Sequence, residues 1–270
     1  MDLIARRELA QRLEAIEASV SEACVEAMAP AYPASGAVTE QIAGGRAFFF
    51  GPMSPLSQAV GVGMQGPVGK EDFDRLEEFF LSRGSPVALS LCPHAHPSVL
   101  EGLADRRYRI TQFEHTLVRE LNGHEALLTS WPEAVVRPAL ASEAALWART
   151  ALEGFHADAP GFEGFDGLFA VMFSAPRTTA FLAWQDGRPA GGGAVSIQSG
   201  ESAMFFSDST LPEFRQRGLQ SALIGARLEQ AGLAGCRLAV ACAGPGSVSQ
   251  RNYERAGFRV AYTKAILTSP

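Results

Sequence analysis

The sequence predicts an α/β (α+β) fold built as two successive halves, each a mixed central sheet flanked by helices. Three observations lead there. Short runs rich in β-branched and aromatic residues recur along the chain, and between them apolar residues recur at steps of three or four. The order of these runs in residues 1–125 returns in residues 130–270: three strands, a helix, a strand, a short helix, a strand. At 270 residues and 47% apolar composition, the chain is long enough to bury a core in each half. Residue identity between the halves is slight, so the repeat is one of pattern.

The first half opens with an amphipathic helix over residues 1–29. Leu9, Leu13, Ile16, Val20 and Cys24 share one face, and Pro30 and Pro33 are expected to stop it. Three strand-like runs follow, at 38–42, 46–50 and 58–64. A helix over 70–81, a strand at 87–91, a short helix near 97–105 and a strand over 109–121 complete this half. Residues 122–132 read as the connection. The second half begins with a strand in "EAVVRPAL" and a helix in "SEAALWARTALEGF", expected to be capped by Ser142. The glycine-rich "DAPGFEGFDG" reads as a loop. Three strands then follow, joined at Asp186-Gly187 and Ser199-Gly200, the first a strong hairpin signal. A helix over 217–230, a strand at 237–241, a short helix over 248–256 and the strand "FRVAYTKAIL" end the chain.

Composition narrows the function. A net charge of −6 argues against a nucleic-acid binder that relies on phosphate attraction. Charges throughout the N-terminal segment and the lack of a long uncharged apolar run argue against a signal peptide and a membrane span. The four cysteines, Cys24, Cys92, Cys236 and Cys242, form no CxxC pair and read as small core residues in a reducing compartment. The expectation is a soluble cytoplasmic protein, monomer or homodimer, without nucleic-acid or membrane partners. In "CPHAHP", His94 and His96 could share a face, but no third ligand is evident, and no metal is expected.

The most informative stretch is "EFRQRGLQSALIGARLEQAG", residues 213–232. It places two arginines and a glycine where a strand turns into a helix. A helix N-terminus leaves backbone N–H groups without partners and carries partial positive charge. An anion satisfies both. Gly218 permits close approach or an otherwise costly backbone conformation, and Arg215 and Arg217 can add charge-assisted hydrogen bonds. The alternative is an ordinary solvated helix start. In the first half the matching turn is "QGPVGKEDFDRLEEFF". There Pro67 has no amide hydrogen, and Glu71 and Asp72 put negative charge where an anion would sit. That half is expected not to hold one.

"TLPEFRQRGLQSALI", followed about thirty residues later by "SQRNYERAGFRV", resembles the GNAT superfamily of acyl-CoA-dependent N-acyltransferases. Arg215 and Gly218 match the family's R/Q-x-x-G-x-G/A turn. Tyr253, Gly257 and Phe258 match its later tyrosine four residues before Gly-Phe. Gln220 stands where a small residue is usual, and Gly246 where many members have asparagine. The resemblance covers residues 132–270. It extends to the first half only through the order of elements, as a degenerate GNAT-like domain at 1–125 ahead of a catalytic domain at 130–270.

The resemblance implies a tandem GNAT-like fold and acetyl-CoA as co-substrate. The implied coenzyme-contacting set is Ser209, Thr210, Arg215, Gln216, Arg217, Gly218, Leu219, Gln220, Ser221 and Asn252. The strand at 203–209 would accept the pantetheine arm as an added strand and splay from 238–241. Acyl transfer to an amine needs the acceptor neutral and the leaving thiolate protonated. Tyr253 is the implied donor to sulfur, its alternative reading being a half-buried core tyrosine. Asp208 is the candidate base, its alternative a turn carboxylate before Pro212. Glu201 reads as an edge residue, and His156 with Asp158 as loop residues that could line the acceptor site. The acceptor is a primary amine of a small molecule or peptide. The competing readings are a non-catalytic acyl-CoA sensor or interaction module, and an unrelated nucleotide-binding protein.

Overall fold

The computed structural model describes residues 7–52, 54–123, 134–156, 166–198 and 201–269. In chain order the elements are α1 (Arg7–Ala31), β1 (Val38–Ile42), β2 (Gly45–Phe49), β3 (Gln58–Val60), α2 (Lys70–Leu81), β4 (Ala88–Leu91), α3 (Ser98–Ala104), β5 (Arg109–Glu120) and β6 (Ala134–Pro138). They continue with α4 (Ala144–His156), α5 (Asp166–Ser174), β7 (Thr178–Gln185), β8 (Arg188–Gln198), β9 (Ser202–Thr210), α6 (Leu219–Leu233), β10 (Leu238–Ala243), α7 (Val248–Arg255) and β11 (Arg259–Thr268). The fold is mixed α/β. Its contacts divide into two compact units, one of Met1–Thr116 with Val260–Pro270, the other of Leu117–Arg259. The last strand therefore groups with the first unit, whereas a boundary read along the sequence runs 1–125 and 130–270.

In the first unit the strand order is β1-β2-β3-β4-β11-β5. The β1–β2 hairpin turns at Ala43-Gly44, both at positive φ (51° and 75°), as a tight hairpin turn demands. β3 and β4 pair in parallel through Ala59↔Leu89 and Val60↔Ser90, and β4 pairs antiparallel with β11. The strand read as 58–64 ends at Val60, because Gly61 and Gly63 take φ of 74° and turn the chain away. Phe73, Leu76, Phe79 and Phe80 of α2 pack with Leu89, Leu91 and Leu267. The first helix runs to Ala31, with Pro30 inside its last turn rather than ending it. So close to the terminus, the missing N–H of a proline removes only one helical bond, and Tyr32 N–H still reaches the Met28 carbonyl at 2.8 Å.

What ties β11 to α1 is a buried ionic cluster. The fully buried Lys264 ammonium lies 3.0 Å from Glu14 and 2.6 Å from Glu17. Tyr262 Oη donates to Glu14 at 2.7 Å, and the Gly61 amide donates to its other oxygen at 3.2 Å. Burial, with the Glu17 charge nearby, holds the Glu14 carboxyl above the usual carboxylate range despite Lys264 and Tyr262. Cys24, Cys92 and Cys236 are buried free thiols, and burial pushes Cys24 and Cys92 up to about 12.

The second unit has the order β5-β10-β9-β8-β7-β6. Asp186 (φ 53°) and Gly187 (φ 69°) make the expected β7–β8 turn; the Ser199-Gly200 turn lies outside the described residues. Helix α4 is entered through a 3-10 turn at Ala141–Glu143. Ser142 is not its cap. Glu143 instead folds back to accept the Leu140 amide at 2.8 Å and is gripped by both Arg137 terminal nitrogens at 2.7 Å. That bond to Arg137, with the Leu140 amide, draws the Glu143 carboxyl down to about 2. Helix α5 follows α4 without a counterpart in the sequence reading. None of the described helices is long and apolar enough to cross a membrane.

Lys264→Met strands one buried and one partly buried carboxylate without their cation. An unpaired buried charge costs about 3–5 kcal/mol. Equilibrium urea unfolding of this variant is expected to show a loss of that order, read as a lower midpoint at unchanged slope.

Candidate active site

β9 is flanked by β8 and β10, and its two neighbours treat it differently. With β10 it pairs in parallel from Leu238↔Ser202 to Ala241↔Phe205, where the register ends. Both strands continue, β9 to Thr210 and β10 to Ala243. On the other side, β8 pairs Gly192↔Ser209 and Ala194↔Phe206, so Ser207 and Asp208 together oppose Gly193. This is a β-bulge, and Ser207 takes a φ of 55° to make it. The bulge lies just beyond the point where β9 and β10 stop pairing. The sequence reading has β9 splay from 238–241; those four residues instead pair with β9, and the register ends just beyond them.

The chain then enters α6 through a 3-10 turn at Pro212–Phe214 and two left-handed residues, Gln216 (φ 61°) and Gly218 (φ 77°). Gly218 is the N-cap and makes no side-chain capping bond. The Gly218 carbonyl accepts the first helical bond, from Ala222 N–H at 3.0 Å. The amides of Leu219, Gln220 and Ser221 therefore precede the helical bonding pattern, with no capping side chain over them. By contrast, Ser247 caps α7 through its own oxygen, accepting from Gln250 N–H at 3.1 Å.

Side chains around this turn are engaged with the protein. Arg215 donates to the Thr210 and Gly154 carbonyls at 3.2 and 3.3 Å. Arg217 lies 5.6 Å over the Phe214 ring and 3.9 Å from Asp186. Gln220 donates to Ser249 at 3.0 Å and accepts from Asn252 at 2.7 Å, tying α6 to α7. Leu219 is a core residue, contributing only its backbone here. The Ser209 hydroxyl is buried without a hydrogen-bond partner among the described residues.

Tyr253 and Asp208 come together, as the sequence reading places them in one site. The Tyr253 hydroxyl donates to Asp208 Oδ2. A residue the sequence reading missed completes the group. Arg227 of α6, with no solvent exposure, grips both Asp208 oxygens through its two terminal nitrogens. It also donates to the Leu223 and Ala194 carbonyls at 3.0 and 3.1 Å and lies 4.9 Å over the Phe205 ring. Burial works against the Arg227 charge, but Asp208 and Tyr253 beside it raise its affinity for the proton. Burial first, and then the Asp208 charge, hold the Tyr253 phenol well above its ordinary range, so it keeps its proton at neutral pH. The missed signal was present. Leu219, Leu223, Arg227 and Ala231 are spaced by four, so a charged residue stands on the apolar stripe.

The spacing of Tyr253, Gly257 and Phe258 has a local cause. Phe258 N–H bonds the Tyr253 carbonyl at 3.0 Å, and Gly257 N–H bonds Glu254 at 2.9 Å, with Gly257 at φ 82°. This is a Schellman end to α7. The apolar contact that accompanies it is Tyr253 against Phe258, ring centroids 4.9 Å apart. The side chain of His156 and residues 157–165, including Asp158, lie outside the described residues. Glu201 pairs with Arg237 at 3.1 Å at the start of β9. Among the described residues no three His, Cys, Asp or Glu gather for a metal, and His96 binds Ser98 at 2.9 Å.

A family model described as Acetyltransferase (GNAT) family matches residues 144–258. The C-terminal half of the chain belongs to the GNAT acetyltransferase family. Solved structures extend the likeness of fold to most of the chain. A GCN5-related N-acetyltransferase from Kribbella flavida superposes with a TM-score of 0.64 at 18% identity, over 94% of this chain and 95% of that one. A functionally unknown conserved protein from Staphylococcus epidermidis gives 0.60 at 14%, over 86% and 93%. A tandem GNAT protein from the clavulanic acid biosynthesis pathway gives 0.59 at 12%, over 84% and 78%. No curated protein matches by sequence.

Within this tandem GNAT-like fold the first unit differs at both matching places. The N-cap of α2 is Gly69 in an extended conformation (φ −96°), and Asp72 turns back to accept the Gly69 amide at 2.8 Å. Within α3, Leu103 stands in the place of Tyr253, and after it Arg107 takes the left-handed position (φ 57°) of Gly257.

Gly193 lies under Arg227. A Cβ there would meet Cζ, Nη1 and Nε of the guanidinium at 3.0, 3.1 and 3.3 Å. The guanidinium is pinned by three carbonyl or carboxylate partners and cannot retreat. Gly193→Ala is therefore expected to cost on the order of 1–3 kcal/mol, measured as a lowered thermal midpoint, while Gly244→Ala, with open space around its Cβ and no left-handed φ, serves as the control.

Proposed function

We propose that the second unit is an acyl-CoA-dependent N-acyltransferase that moves an acetyl group from acetyl-CoA to a primary amine of a small molecule or peptide by direct attack. The observation that carries this reading is the uncapped start of α6, which follows β9 beyond the end of its register with β10. The amides from Gln216 to Ser221, together with the positive helix end, supply donors for a pyrophosphate. Gly218 carries no side chain over them. Arg217, half exposed, supplies charge there, and Arg215 holds the turn in shape by its bonds to Thr210 and Gly154. The part of β9 beyond Phe205 offers a strand edge to an extended arm. Ser209 and Thr210 lie on it, and Asn252 supports Gln220 from α7.

When bound, the thioester supplies an activated acyl group; the chain must orient it, stabilise an oxyanion and handle one proton. A backbone amide near the bulge is suited to the oxyanion. Tyr253 is the proton-carrying group, and Asp208 is the acceptor that holds its hydroxyl. The first unit is a degenerate GNAT-like partner: Asp72 already occupies the helix start that an anion would need, and Leu103 has no proton to give. The sensor reading draws on one observation. The sole Tyr253 proton is committed to Asp208, and the ring is almost wholly buried.

Calorimetry with coenzyme A and a thioester-consumption assay across polyamine, amino acid, aminoglycoside and peptide amines separate the two. Binding with turnover supports the enzyme; tight binding without turnover supports the sensor; no heat with acetyl-CoA or coenzyme A removes both. Gly218→Asp places a carboxylate at the helix start and is expected to abolish coenzyme binding. Tyr253→Phe is expected to lower kcat by roughly 10²-fold or more, within the usual range for a proton-transfer group, with coenzyme affinity nearly unchanged.

A further inference from the structure

We propose that Arg227 is a positioning residue for acyl transfer: acting through Asp208, it fixes the Tyr253 hydroxyl beside the β9 bulge. This rests on the acyltransferase reading above and adds to it a residue outside the coenzyme-contacting set.

Three elements contribute one group each, Arg227 from α6, Asp208 from β9 and Tyr253 from α7. They are joined in series. Arg227 holds both carboxylate oxygens, and one of them, Oδ2, also accepts the hydrogen bond from the Tyr253 hydroxyl. Arg227 itself has little freedom. Its Nε is held by the Leu223 carbonyl and its Nη1 by the Ala194 carbonyl, with the Phe205 ring under the plane. Gly193 supplies the space for that plane. A planar fork gripping a carboxylate through two nitrogens fixes direction as well as charge, which an ammonium cannot do. The Asp208 oxygen that faces Tyr253 is thus set by contacts on α6 and β8, and with it the orientation of the phenol.

An ion pair that merely holds the core together makes a different prediction from a positioning pair. Its loss would act on stability, or on coenzyme affinity and turnover together, whether or not Tyr253 keeps its hydroxyl. A positioning residue acts on turnover only while there is a hydroxyl to position. The experiment is a double-mutant cycle of Arg227→Lys and Tyr253→Phe. It is read by acetyl-CoA consumption with the amine panel and by calorimetry with coenzyme A. Arg227→Lys is expected to lower kcat at least tenfold with coenzyme affinity within twofold, and to add less than twofold to Tyr253→Phe.

A tenfold loss that persists in the Tyr253→Phe background overturns the proposal, as does wild-type kcat in Arg227→Lys, or a parallel loss of coenzyme affinity. If Arg227→Lys does not fold, the neutral pair Arg227→Met with Asp208→Asn goes through the same cycle with the same expected and overturning results. Labelling the four tyrosines at Cζ gives a readout independent of acceptor. In Asp208→Asn the Tyr253 resonance is expected to titrate at lower pH than in the wild type, because the carboxylate opposing the phenolate is gone. An unmoved titration overturns the coupling. Wild-type protein that binds coenzyme A yet consumes no thioester overturns the acyltransferase reading and this proposal together. Wild-type turnover with an additive cycle overturns this proposal alone.

Discussion

A guanidinium with no exposure to water has to be met on every side, and much of the second unit is arranged around that demand. Arg227 is a helix residue facing a sheet, so its partners must come from strands and from its own helix. Carbonyls at Leu223 and Ala194 take two directions. The third needs a negative charge, and Asp208 supplies it. In a regular β9 the alternation of side chains would tie the facing of Asp208 to that of every second residue before it. The bulge at Ser207 breaks that alternation by one residue. Gly193, opposite the bulge, leaves the guanidinium its room. Ion pairs of this kind contribute little net stability over apolar packing, but breaking one is costly. Position is what such a pair secures.

The two units share an order of elements and differ in what they do with one helix start. In α2 the Asp72 carboxylate satisfies the Gly69 amide, so the positive end of the dipole is answered from within the chain. In α6 the N-cap is a left-handed glycine with nothing to offer, and the amides after it have no capping side chain. The same contrast runs through the later turn, where Tyr253 faces Asp208 and Leu103 has only apolar contacts to make. An unmet helix start costs stability that a serine or aspartate would restore. Both helix starts have a glycine N-cap without a side-chain capping bond; what separates them is the negative charge that Glu71 and Asp72 put in the first turn of α2, where α6 has none, so an anion is opposed at one and not at the other.

The repeat of pattern gave the element order well, because strands and helices here are set by local periodicity and by punctuation such as Asp186-Gly187. Element ends were less legible. Pro30 does not stop α1, since it lies in the last turn, where Tyr32 N–H still bonds the Met28 carbonyl. Ser142 does not cap α4 because it lies inside a 3-10 turn that leads into the helix, a turn in which Glu143 meets the Leu140 amide while held by Arg137. The last strand meets the first unit through its pairing with β4 and through Lys264 with Glu14 and Glu17, contacts between residues far apart in sequence, which no local pattern reports. In the site, the glycine turn and the tyrosine were readable as motifs. Arg227 was visible only as an anomaly on an apolar stripe, and its meaning needed the three-dimensional contact with Asp208.

The hydrogen bond from Tyr253 to Asp208 bears directly on the chemistry. A phenol has one proton, and a carboxylate is a far better acceptor for it than a neutral thioester sulfur. On the acyltransferase reading, Tyr253 keeps its proton on Asp208 while the ground state is in place, and gains by redirecting it only toward a sulfur carrying developing negative charge. Such an interaction is stronger in the transition state than before it, which is the condition for raising turnover rather than binding. The raised phenol pKa serves the same end, because Tyr253 still holds the proton when the demand arises. Burial of the ring then counts as part of the device. It withholds water, which would otherwise compete with both Asp208 and the sulfur for the same hydrogen.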